Sequence, residues 1–303
     1  MPNPSGARHR TAGYWLYLLP GLIGFTVVVG LPFLMNIAIS FTKWKGVGWP
    51  RFTGLTNYMN LAGDMAFWAS LQHTLFFVLA MAVIPTIISL ILASTLFDYV
   101  SNNFGAGLSS FFRAGYYLPQ ILPVSVAGVL WGWILNPHGV LNLILGGAGL
   151  EGLASNWLGD PALAIYALMV VMVWLQIGYS LVVFMAGLAR VDPSLYEAAK
   201  LDGAGAAQRF RYVTIPMLRP EIFVVGLTTT VAALKVFAPV FVLTNGGPDN
   251  STVVPSYFSY YHFFSTARVG YGAAIATAQT AITVVLGMIF LRAQARSAQG
   301  DAA

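Results

Sequence analysis

The chain has 303 residues, of which 57% are hydrophobic and 8% are charged, whereas charged residues make up roughly 25% of ordinary soluble domains. So few charges exclude a soluble globule, and uncharged stretches of about 20 residues match the length that a helix needs to cross a ~30 Å hydrocarbon layer. The complete lack of cysteine excludes disulfides, cysteine-ligated zinc, iron–sulfur clusters and thiol nucleophiles.

Six stretches with few or no charged residues predict an all-α, polytopic membrane protein of about six transmembrane helices. They lie near residues 14–41, 70–97, 112–135, 162–189, 220–244 and 271–291. Trp and Tyr residues flank several of them, as expected at the headgroup level. The first stretch is too long for the apolar region of a cleavable signal peptide, so it is predicted to be a permanent span.

The distribution of basic residues predicts the orientation in the membrane. With the N-terminus inside, the inner segments carry ten Lys and Arg residues, including Arg8 and Arg10, and the outer segments carry only Lys43, Lys45, Arg51 and Arg268. This bias places both termini on the cytoplasmic side of the inner (plasma) membrane. It also explains the excess of 15 basic over 10 acidic residues without nucleic acid as a partner. The predicted organisation is a cytoplasmic tail (1–13), a transmembrane domain (14–292) with a cytoplasmic loop (190–219), and a second cytoplasmic tail (293–303).

The loop between the fourth and fifth spans predicts a helix that begins and ends sharply. Asp192 is a favourable N-cap, and Pro193 follows at the first helical position, where its missing N–H costs nothing. Residues 194–201 favour a short helix, and Gly203 can end it in the left-handed conformation.

A second short amphipathic helix is predicted to follow, from about Ala204 to Val213. Ile215-Pro216 is expected to close it, and Pro220 falls where the next span begins. Together the two helices form an elbow on the cytoplasmic face.

This elbow resembles the "EAA" signature of ATP-binding-cassette importer permeases. The resemblance is carried by Glu197-Ala198-Ala199, by Gly203 six residues after the glutamate, and by Ile215-Pro216. Val213 and Ile215 are conservative departures from the usual Ile and Leu. Further segments resemble the carbohydrate-uptake branch and occur in its order, namely Phe52–Tyr58, Phe112–Pro119, Trp157–Pro161, Lys235–Phe237 and Thr244–Pro248. The resemblance covers residues 12–292 and implies a type I importer permease fold.

The resemblance implies a mechanical role for the elbow, which in such permeases docks into a cleft of a cytoplasmic ATPase. Glu197 would help to anchor the helix, Ala198 and Ala199 would allow close approach, and Gly203 would set the bend. The whole coupling set implied in this way is Glu197, Ala198, Ala199, Asp202, Gly203, Phe210 and Pro216. The alternative is an ordinary surface elbow that packs on its own helical bundle.

Polar and aromatic residues of the fourth span are candidates for a solute pathway, because polar groups at bilayer depth are costly. Gln176 and Tyr179 lie three residues apart and hence on one helical face. Amide and phenol groups suit sugar hydroxyls, and an aromatic face suits the C–H side of a sugar ring. The stretch Trp174–Tyr179 resembles a motif of the maltose-type permease, in which the equivalent span lines the substrate site. The alternative is that Gln176 hydrogen-bonds another helix.

The fifth span carries a stripe of small residues, Thr229, Ala232, Ala233 and Val236, at helical spacing. The resemblance places these positions along the same pathway, where the maltose-type protein has larger polar and aromatic residues. This departure argues against maltose as the solute and would fit a bulkier ligand or a site held mainly by the partner subunit. The alternative is close helix packing. Lys235 can snorkel outward and would suit an anionic solute such as a glycerol phosphate, although lysine is common at this position of the family.

The resemblance also implies an assembly around the chain. It comprises a second permease, usually a different chain, two ATP-binding-cassette ATPases that hold ATP and Mg, and an extracytoplasmic solute-binding protein that meets the outer segments 43–69, 136–161 and 245–270. The chain itself, embedded in lipid, is expected to bind no cofactor or metal and to catalyse no reaction.

The predicted function is therefore that of a permease subunit for a sugar or a sugar-like solute. Glycerol-3-phosphate or a related phosphodiester is the alternative cargo. An ion-coupled secondary transporter is the more distant alternative, and it is disfavoured because the acidic residues fall outside the interiors of the spans. A membrane-embedded enzyme is disfavoured because the four histidines are scattered.

Overall fold

The computed structural model describes residues 11–100 and 104–300, and this part of the chain is helical almost throughout. Arg8 and Arg10, which contribute to the charge count, lie outside the described residues, as do residues 301–303 of the second predicted tail. The chain divides into two compact units. The first contains the described residues up to Asp64 together with Ser259–Ala278, and the second contains Met65–Phe258 and the residues from Gln279 onward.

The first unit begins with a long helix that carries one π-helical turn and is followed by a small hairpin. The hairpin is the only pair of strands among the described residues, and its register pairs Thr42 with Phe52 and Lys43 with Arg51. The elements are α1 (Thr11–Phe25), the π turn Thr26–Gly30, α2 (Leu31–Ser40), β1 (Thr42–Lys43), β2 (Arg51–Phe52) and α3 (Thr56–Ala62).

The second unit holds most of the remaining helices. In chain order they are α4 (Met65–Val78), α5 (Ile84–Ser94), α6 (Ala106–Ile121), α7 (Val124–Ile134), α8 (Val140–Gly147), α9 (Ala164–Leu188), α10 (Pro193–Leu201), α11 (Ala206–Arg209), α12 (Ile215–Met217), α13 (Arg219–Leu234), α14 (Ala238–Leu243), α15 (Pro255–Tyr260) and α16 (Val269–Gly300). Helices α15 and α16 extend across the boundary between the two units. Shorter helical turns lie at Leu79–Val83, Thr95–Val100, Glu151–Leu153, Phe210–Thr214 and Tyr261–Ser265.

The described part of the chain contains four to six candidate membrane spans. Four segments are long and apolar enough to cross a membrane as single helices: Tyr17–Ser40, Met65–Tyr99, Ala164–Leu188 and Val269–Ala295. Two bent helix pairs complete a set of six if each pair counts as one span. The all-α, polytopic fold class is confirmed.

The third predicted span is not one continuous helix. Its two halves, Gly107–Ile121 and Val124–Ile134, are bent by 98° at Leu122 and Pro123. Proline lacks an N–H and disfavours the helical conformation of the residue before it, and Leu122 accordingly has an extended ψ of 132°.

The fifth predicted span, 220–244, is also shorter than expected. Helix α13 ends at Leu234, and α14 begins at Ala238 with Pro239 in its first turn. In a continuous helix the ring of Pro239 would clash with the carbonyl four residues earlier, at Lys235. The break therefore falls between these two residues.

The second helix of the elbow was predicted to be closed by Ile215-Pro216, and this prediction is wrong. The helical path continues through a π turn, Phe210–Thr214, to Met217. A π turn already interrupts the regular hydrogen-bond ladder, so the missing N–H of Pro216 is accommodated. The chain instead bends by 70° between Met217 and Arg219, just before Pro220.

Helix α9 lies at the centre of the second unit, since half of its apolar window is buried. Its first half packs in a core cluster with Phe77 and Val240, and its second half packs in another cluster with Leu90 and Val225. By contrast, none of the apolar window of the first span is buried within the chain.

Candidate coupling elbow and solute pathway

The first elbow helix, α10, begins and ends as its sequence predicts. The Asp192 carboxylate accepts a hydrogen bond from the backbone N–H of Ser194 at 2.9 Å, and this bond lowers the pKa of Asp192. Gly203 adopts a φ of +79° just beyond the helix, and the N–H of Ala204 bonds back to the carbonyl of Ala199. These are the N-cap and left-handed C-terminal signals expected for an independent helical turn.

One side of α10 is anchored to the helical bundle through Tyr196. This residue is buried, and its hydroxyl lies 2.9 Å from the hydroxyl of Thr214 in the π turn of the second elbow helix. Its ring also packs against that of Phe97, with centroids 6.2 Å apart. Burial raises the pKa of Tyr196 above its ordinary value.

Asp98 connects both elbow helices to the end of the second span. Its carboxylate lies 2.7 Å from a guanidinium nitrogen of Arg209 and 3.5 Å from the ammonium nitrogen of Lys200. Arg209 donates a further bond to the carbonyl of Ala204 at 2.9 Å. We call Asp98, Lys200 and Arg209 the Asp98 clasp. The only signal for this contact in the sequence is an acidic residue at the predicted cytoplasmic end of a span, on the same side as the elbow.

A second ion pair joins the two ends of the elbow loop. Arg190, just after α9, pairs with Glu221 in the first turn of α13. Glu221 is nearly buried and packs beside Gly187, where a Cβ would meet its side chain at 2.9 Å. A carboxylate in the first turn also interacts favourably with the helix dipole. This pair, too, was not identified from the sequence.

The opposite side of α10 is open. Ser194, Glu197, Ala198 and Leu201 recur at the spacing of one helical face, and all four are exposed. Leu201 is 89% exposed although it is a large apolar residue. We call these four residues the outward face.

The predicted coupling residues fall into two groups in the structure. Glu197, Ala198, Asp202 and Gly203 are exposed, whereas Ala199, Phe210 and Pro216 are partly buried. Phe210 packs against the core cluster that contains Leu181 and Phe184. Part of the predicted set thus lies on the accessible surface of the elbow, and part lies where the elbow packs against the helical bundle.

Trp174 of the predicted pathway lines a cavity of about 360 Å³, which is within the size range of small-molecule sites. The other lining residues are apolar or aromatic: Phe111, Phe112, Gly115, Tyr116, Pro119 and Ile177. The Trp174 ring also packs edge-on against Trp131, with centroids 5.6 Å apart. The bend of the third span thus leaves α6 beside α9, where together they form an aromatic pocket.

Gln176 and Tyr179 occupy different environments in the second unit. Gln176 is buried, with 8% of its surface exposed. Tyr179 is half-buried, and its hydroxyl lies 3.1 Å from that of Thr228 on α13. Tyr179 therefore joins the fourth and fifth spans, which is the behaviour of an interhelical polar contact.

The small-residue stripe of α13 is split between two faces. Thr229, Ala233 and Val236 are buried, and the Thr229 hydroxyl donates to the carbonyl of Val225 within its own helix at 2.6 Å. These contacts support the packing interpretation for the buried members. Ala232 and Lys235 are exposed on a line with Val224 and Thr228. Their role in solute passage stays a prediction.

No group of three or more His, Cys, Asp or Glu side chains that could hold a metal ion occurs within residues 11–100 and 104–300.

Comparison with known proteins gives consistent matches over most of the chain. The family described as "Binding-protein-dependent transport system inner membrane component" matches residues 99–300. A probable ABC transporter permease protein of Pyrococcus horikoshii is 34% identical over 278 residues, which are 91% of this chain and 93% of that protein. The probable starch degradation products transport system permease protein AmyD of Thermoanaerobacterium thermosulfurigenes is 32% identical over 276 residues, 91% of each chain.

A solved structure shares the fold. A chain from the crystal structure of a bacterial ABC transporter involved in the import of the acidic polysaccharide alginate superposes with a TM-score of 0.80 at 21% sequence identity, over 95% of this chain and 96% of that chain.

Proposed function

Because this chain belongs to the family of binding-protein-dependent transport system inner membrane components, we propose that it forms half of the pathway of an ATP-driven sugar importer and that its elbow docks on a separate cytoplasmic ATPase. The chain is a transport permease subunit and not an enzyme. ATP and Mg belong, in this proposal, to the ATPase.

The observation that carries the proposal is the outward face of α10. Exposure of Leu201 to water is unfavourable, because burial of a leucine side chain contributes about 1.5–3 kcal/mol of stabilising free energy. Ala198 beside it leaves room for the close approach of another surface, and Glu197 can accept hydrogen bonds from it. These features suit a docking helix better than a solvated loop.

The attachment of the elbow supports a mechanical role. Tyr196 and the Asp98 clasp tie α10 to the end of the second span and to Thr214, and Arg190 with Glu221 ties the fourth span to the fifth. Movement of α10 would therefore be passed to three spans at once and not absorbed by a flexible loop.

A second permease is the natural partner for the exposed apolar spans. None of the apolar window of the first span and only 17% of that of the sixth is buried within the chain. Lipid can cover part of this surface, but a complete pathway also needs walls that one such chain does not supply. We propose a second, homologous permease and two ATPases, with both termini of this chain on the cytoplasmic side.

A sugar is the solute class that the observations favour. AmyD carries starch degradation products in its name, and the aromatic cavity beside Trp174 presents ring faces of the kind that stack on the apolar side of sugars. Exposed Lys235 is the feature that would favour a phosphate-bearing solute instead.

The docking proposal is tested by Ala198→Trp in the assembled transporter. A bulky residue on the exposed outward face leaves the bundle intact but prevents close approach, so copurification of the ATPase and ATP-driven uptake should both fall by about tenfold or more. Ala293→Trp, also at an exposed alanine but outside the elbow, is the matched control and should change neither. Normal copurification and uptake with Ala198→Trp would show that α10 is not the docking helix.

A further inference from the structure

All four basic residues that the charge count places outside the membrane occur in the first unit. Lys43, Lys45 and Arg51 lie in and around the hairpin, and Arg268 precedes α16, more than 200 residues later in the chain. The two segments are held together tightly. The N–H of Gly270 lies 3.4 Å from the carbonyl of Trp44, and a Cβ on Gly270 would collide with the carbonyl of Thr42.

The Phe52–Tyr58 segment, singled out in the sequence, holds this arrangement in place. The Asn57 amide donates to the carbonyls of Ser40 and Thr42 at 2.8 and 2.9 Å. The Tyr58 hydroxyl lies 2.6 Å from that of Ser40. Helix α3 is therefore fixed to the end of the first span, and the hairpin has a rigid base.

Between these segments lies a polar cavity of about 260 Å³. Lys43, Lys45 and Arg268 line it together with the hydrogen-bonding side chains of Asn57, Asn60 and Thr56. The Arg268 guanidinium is positioned 4.6 Å from the centre of the Tyr271 ring, and this cation–π contact restrains the Arg268 side chain. The cavity thus combines three cations with neutral donors.

The charges around the cavity are not balanced within the first unit. The one acidic residue in its described part is Asp64, which accepts a hydrogen bond from Tyr271 at 2.5 Å and is not among the lining residues. Lys43 stands directly opposite Arg51 in the hairpin, and like charges in this position destabilise a strand pair. An anion that enters the cavity would relieve this repulsion.

We propose that this cavity receives a carboxylate side chain, Asp or Glu, of the solute-binding protein when that protein docks on the outer face of the transporter. The proposal rests on the proposed function and specifies its outer partner. A neutral sugar has no need of three cations, whereas a carboxylate accepts charge-assisted hydrogen bonds from both ammonium groups and the guanidinium. The family requires a binding protein for transport, and a charged rim contact would guide its docking and fix its register.

Zero-length cross-linking with a carbodiimide tests the proposal directly, because it joins an amine only to a carboxylate in contact with it. The probe is the solute-binding protein that stimulates the ATPase of the assembled transporter. Mass spectrometry should find Lys43 or Lys45 joined to an Asp or Glu of that protein. The double variant Lys43→Arg with Lys45→Arg keeps the charge but removes the amines, and it should abolish the cross-link while docking persists.

Charge removal gives the second readout. Lys45→Gln should raise the concentration of binding protein needed for half-maximal ATPase stimulation by about fivefold at low salt, and the difference should shrink as salt is added. Arg51→Gln removes an equal charge from the same hairpin but not from the cavity lining, and should have a clearly smaller effect.

The outcomes separate this inference from the proposed function. If the unmodified transporter is not stimulated by any binding protein, the proposed function fails. If stimulation is normal but Lys45→Gln leaves the half-maximal concentration unchanged, only the carboxylate site is refuted. A cross-link to an acidic solute, or an effect of Lys45→Gln seen only in anionic lipid, would equally overturn the assignment to the binding protein.

Discussion

Neutralising Asp98 should loosen the elbow without unfolding the bundle. In Asp98→Asn the side chain keeps its size but loses the charge that holds Arg209 and Lys200. The Lys200 contact is 3.5 Å long and that side chain is 47% exposed, whereas the Arg209 contact is 2.7 Å and that side chain is 15% exposed. The exposed pair contributes about 0–1 kcal/mol, and the shielded, charge-assisted bond contributes about 1.5–3 kcal/mol.

A loss of about 2 kcal/mol at the elbow corresponds to a roughly 30-fold increase in the population of its released state. The effect is local, since Tyr196 and Thr214 still anchor α10 and the core clusters are untouched. ATP hydrolysis should therefore continue while less of it is converted into uptake. The number of solute molecules imported per ATP should fall severalfold, and amide exchange across residues 193–217 should increase.

The assay is uptake and ATP hydrolysis measured on the same proteoliposomes. Arg292→Gln, which also removes one charge but at an exposed position outside the elbow, is the control, and Asp98→Glu should retain part of the coupling. If Asp98→Asn imports as many solute molecules per ATP as the unmodified protein, with unchanged amide exchange in the elbow, the transmission role assigned to the Asp98 clasp is wrong.

Three further predictions concern the pathway and the ends of α10. Trp174→Ala removes an aromatic wall of the 360 Å³ cavity, so it should raise the half-saturating solute concentration for uptake and leave ATPase copurification unchanged. Trp133→Ala, at a ring that is 68% exposed, should change neither quantity. Gly203 has a φ of +79°, and a Cβ added there would meet no other atom within 4 Å. Gly203→Asn should therefore retain uptake, because asparagine tolerates the left-handed region. Gly203→Pro should abolish uptake with the protein still in the membrane. The hydrogen bond that lowers the pKa of Asp192 should stabilise α10 at neutral pH and be lost only as pH falls through that lowered value, below the ordinary pKa of about 3.9. Exchange of the Ser194 amide, corrected for its intrinsic pH dependence, should therefore be slow above the lowered pKa. If the Ser194 amide were no better protected at neutral pH than it is in the Asp192→Ala variant, the assignment would be contradicted.

The membrane spans could be predicted from the sequence because the bilayer imposes a simple rule. Backbone groups must be satisfied within each segment, which requires a helix, and a helix that crosses the bilayer needs about 20 predominantly apolar residues. The breaks at Pro123 and Pro239 were harder to predict. Proline is tolerated in some membrane helices, because neighbouring groups can satisfy the freed carbonyls, and the sequence alone does not show where such neighbours lie.

The elbow shows the same division between local and distant effects. The N-cap at Asp192 and the turn at Gly203 act within a few residues, and both could be predicted from the amino acids present. The Asp98 clasp joins residues about 100 positions apart in the chain, so no local pattern indicates it. Likewise, the spacing of Thr229 and Ala233 on α13 predicts a shared face, but whether that face meets solute or the core depends on the helices packed against it.

Uptake by the purified, assembled transporter tests the dependence on a separate ATPase most directly. Proteoliposomes that contain this chain, a second permease, the ATPase and the binding protein should import solute when supplied with ATP and Mg, and a protonophore should leave that uptake unchanged. Import that persists without the ATPase and collapses when the ion gradient is removed would contradict the proposed role of the elbow.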